Sequence, residues 1–353
     1  MKILMTCDAV GGVWHYATDL AAELAGQGAQ VVLAVLGPAP QDVPHGLDVI
    51  HTGLPLDWLA ACPAEVLAAA RGVAALARDH GVDLVHLNSP TLAGADYSVP
   101  VVAVAHGCVG TWWAAAHGTP PDPAYAWHGE MMRAGLMAAD AAVAPSAAFA
   151  AALQRHYALP GAPLTVHNGR TPLPLPAAEP ADHVLTAGRL WDLVKNTPLL
   201  DAAAALLPVP VRAAGPLVAP HGERVAPAHL HLLGTLSPDD LAAELAQTPI
   251  FVSAASFEPF GLAVLEAAQA GCPLVLSGID TFRELWTGAA LFVPEQTPAA
   301  YAAVIERVRT EPGLRAHLSQ SAQVRAARYT PAACAAAMVG LYRSLLGQER
   351  AAA

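Results

Sequence analysis

Short apolar runs and amphipathic stretches alternate along the first half of the chain. KILMTC (2–7), VVLAVLG (31–37), LVHLN (84–88) and VVAVAHG (101–107) are apolar without a regular polar alternate. HYATDLAAELAGQG (15–28) and PAEVLAAARGVAALARDHG (63–81) instead carry apolar residues at helical spacing. Strands apolar on both sides, separated by amphipathic helices, predict a parallel sheet covered on both faces. After LTVHNG (164–169) the periodicity stops in RTPLPLPAAEPAD (170–182), a proline-rich stretch that reads as a domain seam. The pattern resumes with HVLTAGRL (183–190), PVRAAG (210–215), HLHLLG (229–234), TPIFVSAA (248–255) and PLVLS (273–277). The last run, TPAACAAAMVGLYRSLLGQE (330–349), is helical and has no strand after it. The expectation is an α/β protein of two doubly wound domains, 1–172 and 181–329, with a final helix over 330–350. Ligands of such sheets sit outside the carboxyl ends of the strands, so functional residues belong just after strands, in a cleft between the domains.

One stretch breaks the pattern informatively. SFEPFGLAVLEAAQAGCPLV (256–275) is almost wholly apolar apart from Glu258 and Glu266. GLAVLEAAQAG reads as a helix closed by Gly271, so Glu258 falls in the strand-to-helix loop. Glu266 then lies about five residues into the helix, roughly 7.5 Å along its axis. Between them Pro259, Phe260 and Gly261 carry the helix amino end, whose free N–H groups suit an anion. A carboxylate on each side of an anion cradle fits a ligand that joins hydroxyls to phosphates.

Composition narrows the partners. The 353 residues exceed one ordinary core. A formal net charge of -11 argues against nucleic acid and anionic membrane surfaces. The first 150 residues hold only Lys2, Arg71, Arg78 and Arg133 as bases, and no basic amphipathic helix that could dock on lipid. The 5 cysteines (7, 62, 108, 272 and 334) lack a C-x-x-C pair, which favours a reducing compartment over a disulfide frame or structural zinc. The amino terminus reads as strand and loop rather than a signal peptide, and apolar runs are broken by Pro and Gly before they could span a bilayer. A soluble, cytoplasmic protein is expected.

Other candidates follow strands as required. Gly11 and Gly12, in DAVGGVWHY (8–16), would let backbone approach a phosphate; a plain tight turn explains them equally well, and the third glycine of a dinucleotide fingerprint is absent. Arg189 and Lys195, in TAGRLWDLVKN (186–196), suit a diphosphate, and Lys195 is one of only two lysines in the chain. His106 ends VVAVAHG; a lone histidine there is more often structural than catalytic, and His15 and His167 have the same standing. Trp112 and Trp113, read as loop residues, could stack on a sugar or pack between domains. No histidine spacing or acidic cluster of metal-ligand type is present.

Together these residues resemble a GT-B glycosyltransferase, specifically the retaining family 4 that uses nucleotide-sugar donors. The resemblance spans nearly the whole chain. It rests most on the E-x7-E motif, Glu258-PFGLAVL-Glu266, with support from Gly11-Gly12, His106, VHNG (166–169), Arg189 and Lys195. It implies GT-B architecture, two Rossmann-like domains facing an interdomain cleft, with the last helix crossing back onto the first domain. It also implies that Glu258 contacts the transferred sugar and Glu266 the ribose. Arg189, Lys195 and the helix start at Phe260, Gly261 and Leu262 would neutralise the diphosphate. His106 would orient the sugar, through its 6-hydroxyl, rather than act as a base. A UDP- or GDP-linked hexose as donor, front-face transfer, and neither metal nor cofactor are what such a family implies. Two features depart from it. SGIDTFRE (277–284) replaces a Gly-Gly pair and leaves the acceptor-side contacts open. The acidic first half, unlike the basic docking surfaces of membrane-acting relatives, favours a soluble small-molecule or glycan acceptor. The alternatives are a GT-B-like epimerase or phosphorylase, separable by product analysis, and a non-catalytic sugar-nucleotide sensor. A Rossmann oxidoreductase would need the missing glycine and an acid after the second strand, where VVLAVLGPAP has none. Oligomeric state is open.

Overall fold

The computed structural model describes residues 1–347 other than 41, 120 and 221. The chain forms two compact units, Met1–Arg170 together with the chain from Thr330 onward, and Thr171–Tyr329. Each is α/β with one parallel sheet.

In the first unit, the described residues form seven strands: β1 (Lys2–Asp8), β2 (Gln30–Leu36), β3 (Asp48–His51), β4 (Leu84–Leu87), β5 (Val101–Val104), β6 (Ala141–Ala144) and β7 (Leu164–Thr165). Their order is β3-β2-β1-β4-β5-β6-β7, every pair parallel. Side chains alternate across the sheet as the pleat requires. Ile3, Met5 and Cys7 enter a core shared with helices Gly12–Gly26 and Pro331–Leu345, while Leu4 enters the opposite core under helix Pro63–His80. The chain's last helix thus completes the first unit's core through Cys334, Ala335, Met338 and Tyr342. Positions 348–350 of the expected final helix lie outside the described residues.

In the second unit the strands are β8 (Val184–Ala187), β9 (Val211–Ala214), β10 (His231–Gly234), β11 (Ile250–Ser253), β12 (Leu274–Ser277) and β13 (Ala290–Val293), ordered β10-β9-β8-β11-β12-β13 and again all parallel. Part of the proline-rich stretch belongs here, since Leu173 packs against this unit's core. In both sheets the winding reverses once, between β1 and β4 and between β8 and β11. Loops diverge there, and a crevice opens at the carboxyl ends.

The structure departs from the sequence expectation in local detail. The first helix starts at Gly12 rather than residue 15, because Gly11 takes the extended N-cap position and Trp14 N already donates to Gly11 O at 3.2 Å. Trp112 and Trp113 lie on helix Val109–His117, not in a loop, and SGIDTFRE runs into helix Asp280–Trp286. β6 has the composition of a helix, AAVA, but burial between neighbours overrides alanine's propensity. The Asp140 carboxylate fixes its entry by accepting from Val101 N at 2.7 Å.

Gly169, in VHNG, lies against the start of the last helix. A Cβ there would stand 2.2 Å from the backbone carbonyl carbon of Thr330, whose side chain caps that helix by accepting from Ala333 N. Overpacking costs typically 1–3 kcal/mol, and backbone yields less than a side-chain tip. Gly169→Ala should therefore lower stability by about 3 kcal/mol in urea unfolding; an unchanged midpoint would show that the two segments are not locked together.

Candidate functional site

The first unit's candidates surround its switch point. After β1, Asp8 Oδ1 accepts from Val10 N at 2.9 Å, a tight turn that delivers Gly11 as N-cap and Gly12 as the first helical residue. His106 follows β5 and is half-buried, its ring tilted on Tyr16 with centroids 4.3 Å apart.

Its hydrogen bond goes to a residue the sequence reading missed. Asn88, just after β4, uses its amide nitrogen on Thr6 O at 2.7 Å. Its oxygen is left to face two rings, His106 Nε2 at 2.9 Å and His86 Nε2 at 3.1 Å. That geometry assigns the Nε2–H tautomer to both. His86 Nδ1 then accepts from the Tyr342 hydroxyl at 2.6 Å, so a buried polar chain runs from the last helix to His106. Burial lowers His106 to about 3, with the neighbouring His86 adding to the effect. Burial likewise lowers His86 to about 4, against a smaller opposing contribution from Asn88. Both rings are neutral near pH 7. His106 is therefore left with an acceptor lone pair at Nδ1 and is a poor base.

The second unit brings three of its expected residues into two charge pairs. Lys195 Nζ donates to Glu258 Oε2, joining the loop after β8 to the loop after β11. Arg189 Nη2 donates to Asp192 Oδ2 at 2.8 Å, and its guanidinium carbon lies 5.5 Å from the Trp191 ring centroid. Asp192 was not expected. It is buried, its Oδ1 also accepts from Val194 N, and it thereby holds the turn that presents Lys195. The clue available was an acid three residues after an arginine in GRLWD.

Gly261 caps helix Leu262–Gln269 at φ 94, a region that excludes most side chains. A Cβ there would also press on Phe282 at 3.1 Å and on Glu258 Cγ at 3.3 Å. Glycine is what lets Glu258 lie against the helix start. Leu262 is the first helical residue and Glu266 the fifth, half-buried. The Phe260 ring is core, packed edge-on to Tyr329 at 5.6 Å, so its backbone is the part that could meet a ligand, as expected of a helix start. A further constraint was invisible in sequence. Gly215 at φ 138 packs against the loop after β8, and a Cβ would fall 1.7 Å from Gly188 O. Among the described residues, no group of three or more His, Cys, Asp or Glu is placed to hold a metal ion, and no helix is long and apolar enough to cross a membrane.

With this geometry in hand, two family descriptions match the chain: Glycosyltransferase Family 4 over residues 10–170, and Glycosyl transferases group 1 over residues 221–325. The chain belongs to glycosyltransferase family 4. Its fold is GT-B. This family 4 chain is 30% identical over 293 residues to a D-inositol 3-phosphate glycosyltransferase of Streptomyces bingchenggensis, over 71% of this chain and 63% of that protein. The chain therefore spans less than two thirds of that relative's length. Sucrose-phosphate synthase from Thermosynechococcus elongatus superimposes with a TM-score of 0.81 at 21% identity, covering 98% of this chain and 99% of that one. Anabaena HepE, solved in complex with UDP-glucose, gives 0.74 at 18% identity, covering 98% and 100%.

The buried histidine chain carries a pH signature. Both folded pKa values lie below the ordinary 6.5, so under acid conditions the unfolded chain takes up protons that the folded chain refuses. This contribution to stability is complete above about pH 7 and is lost as pH falls from 6.5 toward 4. At pH 5 His86 alone should account for about 2 kcal/mol. Urea unfolding of the wild type between pH 7 and 5 should accordingly slope more steeply than that of His86→Gln; parallel slopes would mean that His86 is protonated in the folded state.

Proposed function

We propose that the chain transfers a hexosyl group from a UDP- or GDP-linked sugar to a hydroxyl of a small-molecule or glycan acceptor, with retention at the anomeric carbon and without a metal ion. The observation that carries this reading is the Lys195–Glu258 pair beside the Gly261-capped helix, with Glu266 one turn inside it. Lys195 has three N–H donors and spends one on Glu258, so the other two are free in valence for diphosphate oxygens. Glu258 then accepts from sugar hydroxyls and Glu266 from the ribose. Arg189, steadied by Asp192 and Trp191, adds a second cation for the leaving group. The anomeric C–O bond breaks with its electron pair departing on the diphosphate. The acceptor oxygen bonds to the same face of the sugar, and its proton passes to a diphosphate oxygen. Fixed cations and helix amides meeting that developing charge are the main source of acceleration. His106, neutral and tied to Asn88, has Nδ1 left to accept from a ligand hydroxyl. The UDP-glucose bound to the structurally similar Anabaena protein supports a nucleotide-sugar donor. All 5 cysteines are free, which fits a reducing, cytoplasmic setting.

The two glutamates separate by substitution. Glu266→Gln should weaken binding of free nucleoside diphosphate about tenfold, the loss of a charge-assisted bond worth roughly 1.5–3 kcal/mol, whereas Glu258→Gln should leave it near wild type and lower kcat with the intact donor. Calorimetry with UDP and GDP beside donor turnover decides the matter; equal loss of nucleotide affinity in both variants refutes the assignment. Product analysis in the same assay separates transfer from epimerisation or phosphorolysis.

Turnover should also persist in excess EDTA, because lysine, arginine and helix amides stand where a divalent ion would. Activity abolished by chelation and restored by Mg²⁺ or Mn²⁺ would show that the leaving group needs a metal.

A further inference from the structure

The two carboxyl edges differ sharply in charge. In the second unit, Arg189 and Lys195 both lie in the loop after β8. In the first unit, the connections following the seven strands (9–11, 37–47, 52–62, 88–100, 105–108, 145–146 and 166–170) contain a single Lys or Arg, Arg170. Arg170 is buried and bonded to Asp19 at 2.9 Å. No Lys or Arg occurs anywhere from residue 79 to 132, which includes His106 and the helix after it. At two helix starts there the amides are engaged as well, whereas helix Gly12–Gly26 has no side-chain cap. Cys108 Sγ accepts from Thr111 N at the start of helix Val109–His117, and Ser146 Oγ accepts from Phe149 N at the start of helix Ala147–Tyr157.

What this edge offers instead is rings. Trp113 lies 4.5 Å from His117 and 6.0 Å from Tyr125, centroid to centroid, and Trp112 meets both Trp113 and His117. Tyr125 is 6.1 Å from His128, which stacks on Trp127 at 3.6 Å. Tyr125 is 47% exposed, and Trp112, Trp113 and Trp127 are each partly exposed. Three of the chain's 7 tryptophans fall within sixteen positions of one another here.

We infer that the acceptor is an uncharged ring compound, not a phosphate ester, and that it seats a ring face against Trp112, Trp113 and Tyr125 of the first unit. This rests on the glycosyl-transfer reading above and deepens it. A transferase must hold an anionic donor and an acceptor. Of the two edges, the second unit's carries the cations in its strand-following loop, Arg189 and Lys195, each paired with a carboxylate yet with N–H donors to spare, which leaves the first unit's edge to the acceptor. A phosphate there would lose its hydration beside Asp122, three residues before Tyr125, and Asp57, a charged neighbour of His128, with no cation in return. An uncharged ring loses little hydration and gains contact with indole and phenol faces. The distinction matters because the sequence relative from Streptomyces is named for an inositol phosphate, and the structural neighbour from Thermosynechococcus is a sucrose-phosphate synthase.

The test uses the full chain saturated with UDP, so that binding is read without turnover. Saturation-transfer NMR titrations compare myo-inositol with inositol 3-phosphate, and methyl β-glucoside with glucose 6-phosphate; phenyl β-glucoside distinguishes a sugar face from an aromatic one. The uncharged member of at least one pair should bind tenfold or more tightly than its phosphate ester. Trp113→Ala and the surface variant Tyr125→Ala should each weaken that binding at least tenfold while UDP affinity stays within twofold. Tighter binding of the phosphate esters, binding of neither member, or acceptor affinity untouched by both substitutions overturns the inference. Calorimetry of UDP and GDP alone distinguishes this from failure of the transferase reading, which would abolish nucleotide binding itself.

Discussion

Each unit depends on one constraint: an all-parallel sheet must be covered on both faces, so its polar chemistry is confined to its ends. The strands are apolar across nearly their whole length, and the core clusters on either side take up alternate residues of the same strand. Charged or titratable groups can then gather only where strands stop and loops part. Gly11, Gly12 and Asn88 flank the reversal between β1 and β4. Arg189, Lys195 and Glu258 flank the reversal between β8 and β11. The same winding rule applied twice therefore produces two edges, and residue choice makes them different.

The second unit's edge is ionic. Its charges are held by one another: Asp192 anchors Arg189 and shapes the turn bearing Lys195, and Lys195 reaches across to Glu258. Carboxylates and cations so arranged orient one another. The first unit's edge holds acids and neutral histidines, and its strand-following connections contain no Lys or Arg other than the buried Arg170. His106 and His86 lose their charge to burial and share the Asn88 oxygen, and aromatic rings take the place of cations. The buried chain also ties function to assembly, because its far end is Tyr342 on the last helix. The first unit's histidine network is complete only when the chain's end has docked.

Much of this was legible locally. The spacing of Glu258 and Glu266 in an apolar background, the glycine closing that helix and the placement of candidates after strands all follow from short stretches whose periodicity is self-contained. The shortage of Lys and Arg in the first half, against the cations of the second, was also legible and is the root of the contrast between the edges. It failed where a residue's role depends on a remote neighbour. Asn88 and His106 are 18 positions apart and meet only because β4 and β5 pair in parallel. Asp192 holds the turn bearing Lys195 through bonds to Arg189 and Val194 N that its apolar neighbours gave no reason to expect.

By itself the sequence determined the class of fold, the proline-rich break at 170–182 and the spacing of Glu258 and Glu266, since these depend on apolar period, proline content and spacing along one segment. Tertiary structure alone decided the partners. β6 became a strand because burial between sheet neighbours outweighed alanine's helical preference. Gly215 and Gly169 became indispensable because distant backbone, at Gly188 and Thr330, comes within a Cβ's reach of them. His106 became an Nε2–H tautomer because the amide of Asn88, fixed by Thr6, could present only its oxygen, and burial keeps it neutral. Charge state and hydrogen-bond direction are set by what folding places alongside a side chain, and no local pattern along the chain encodes that.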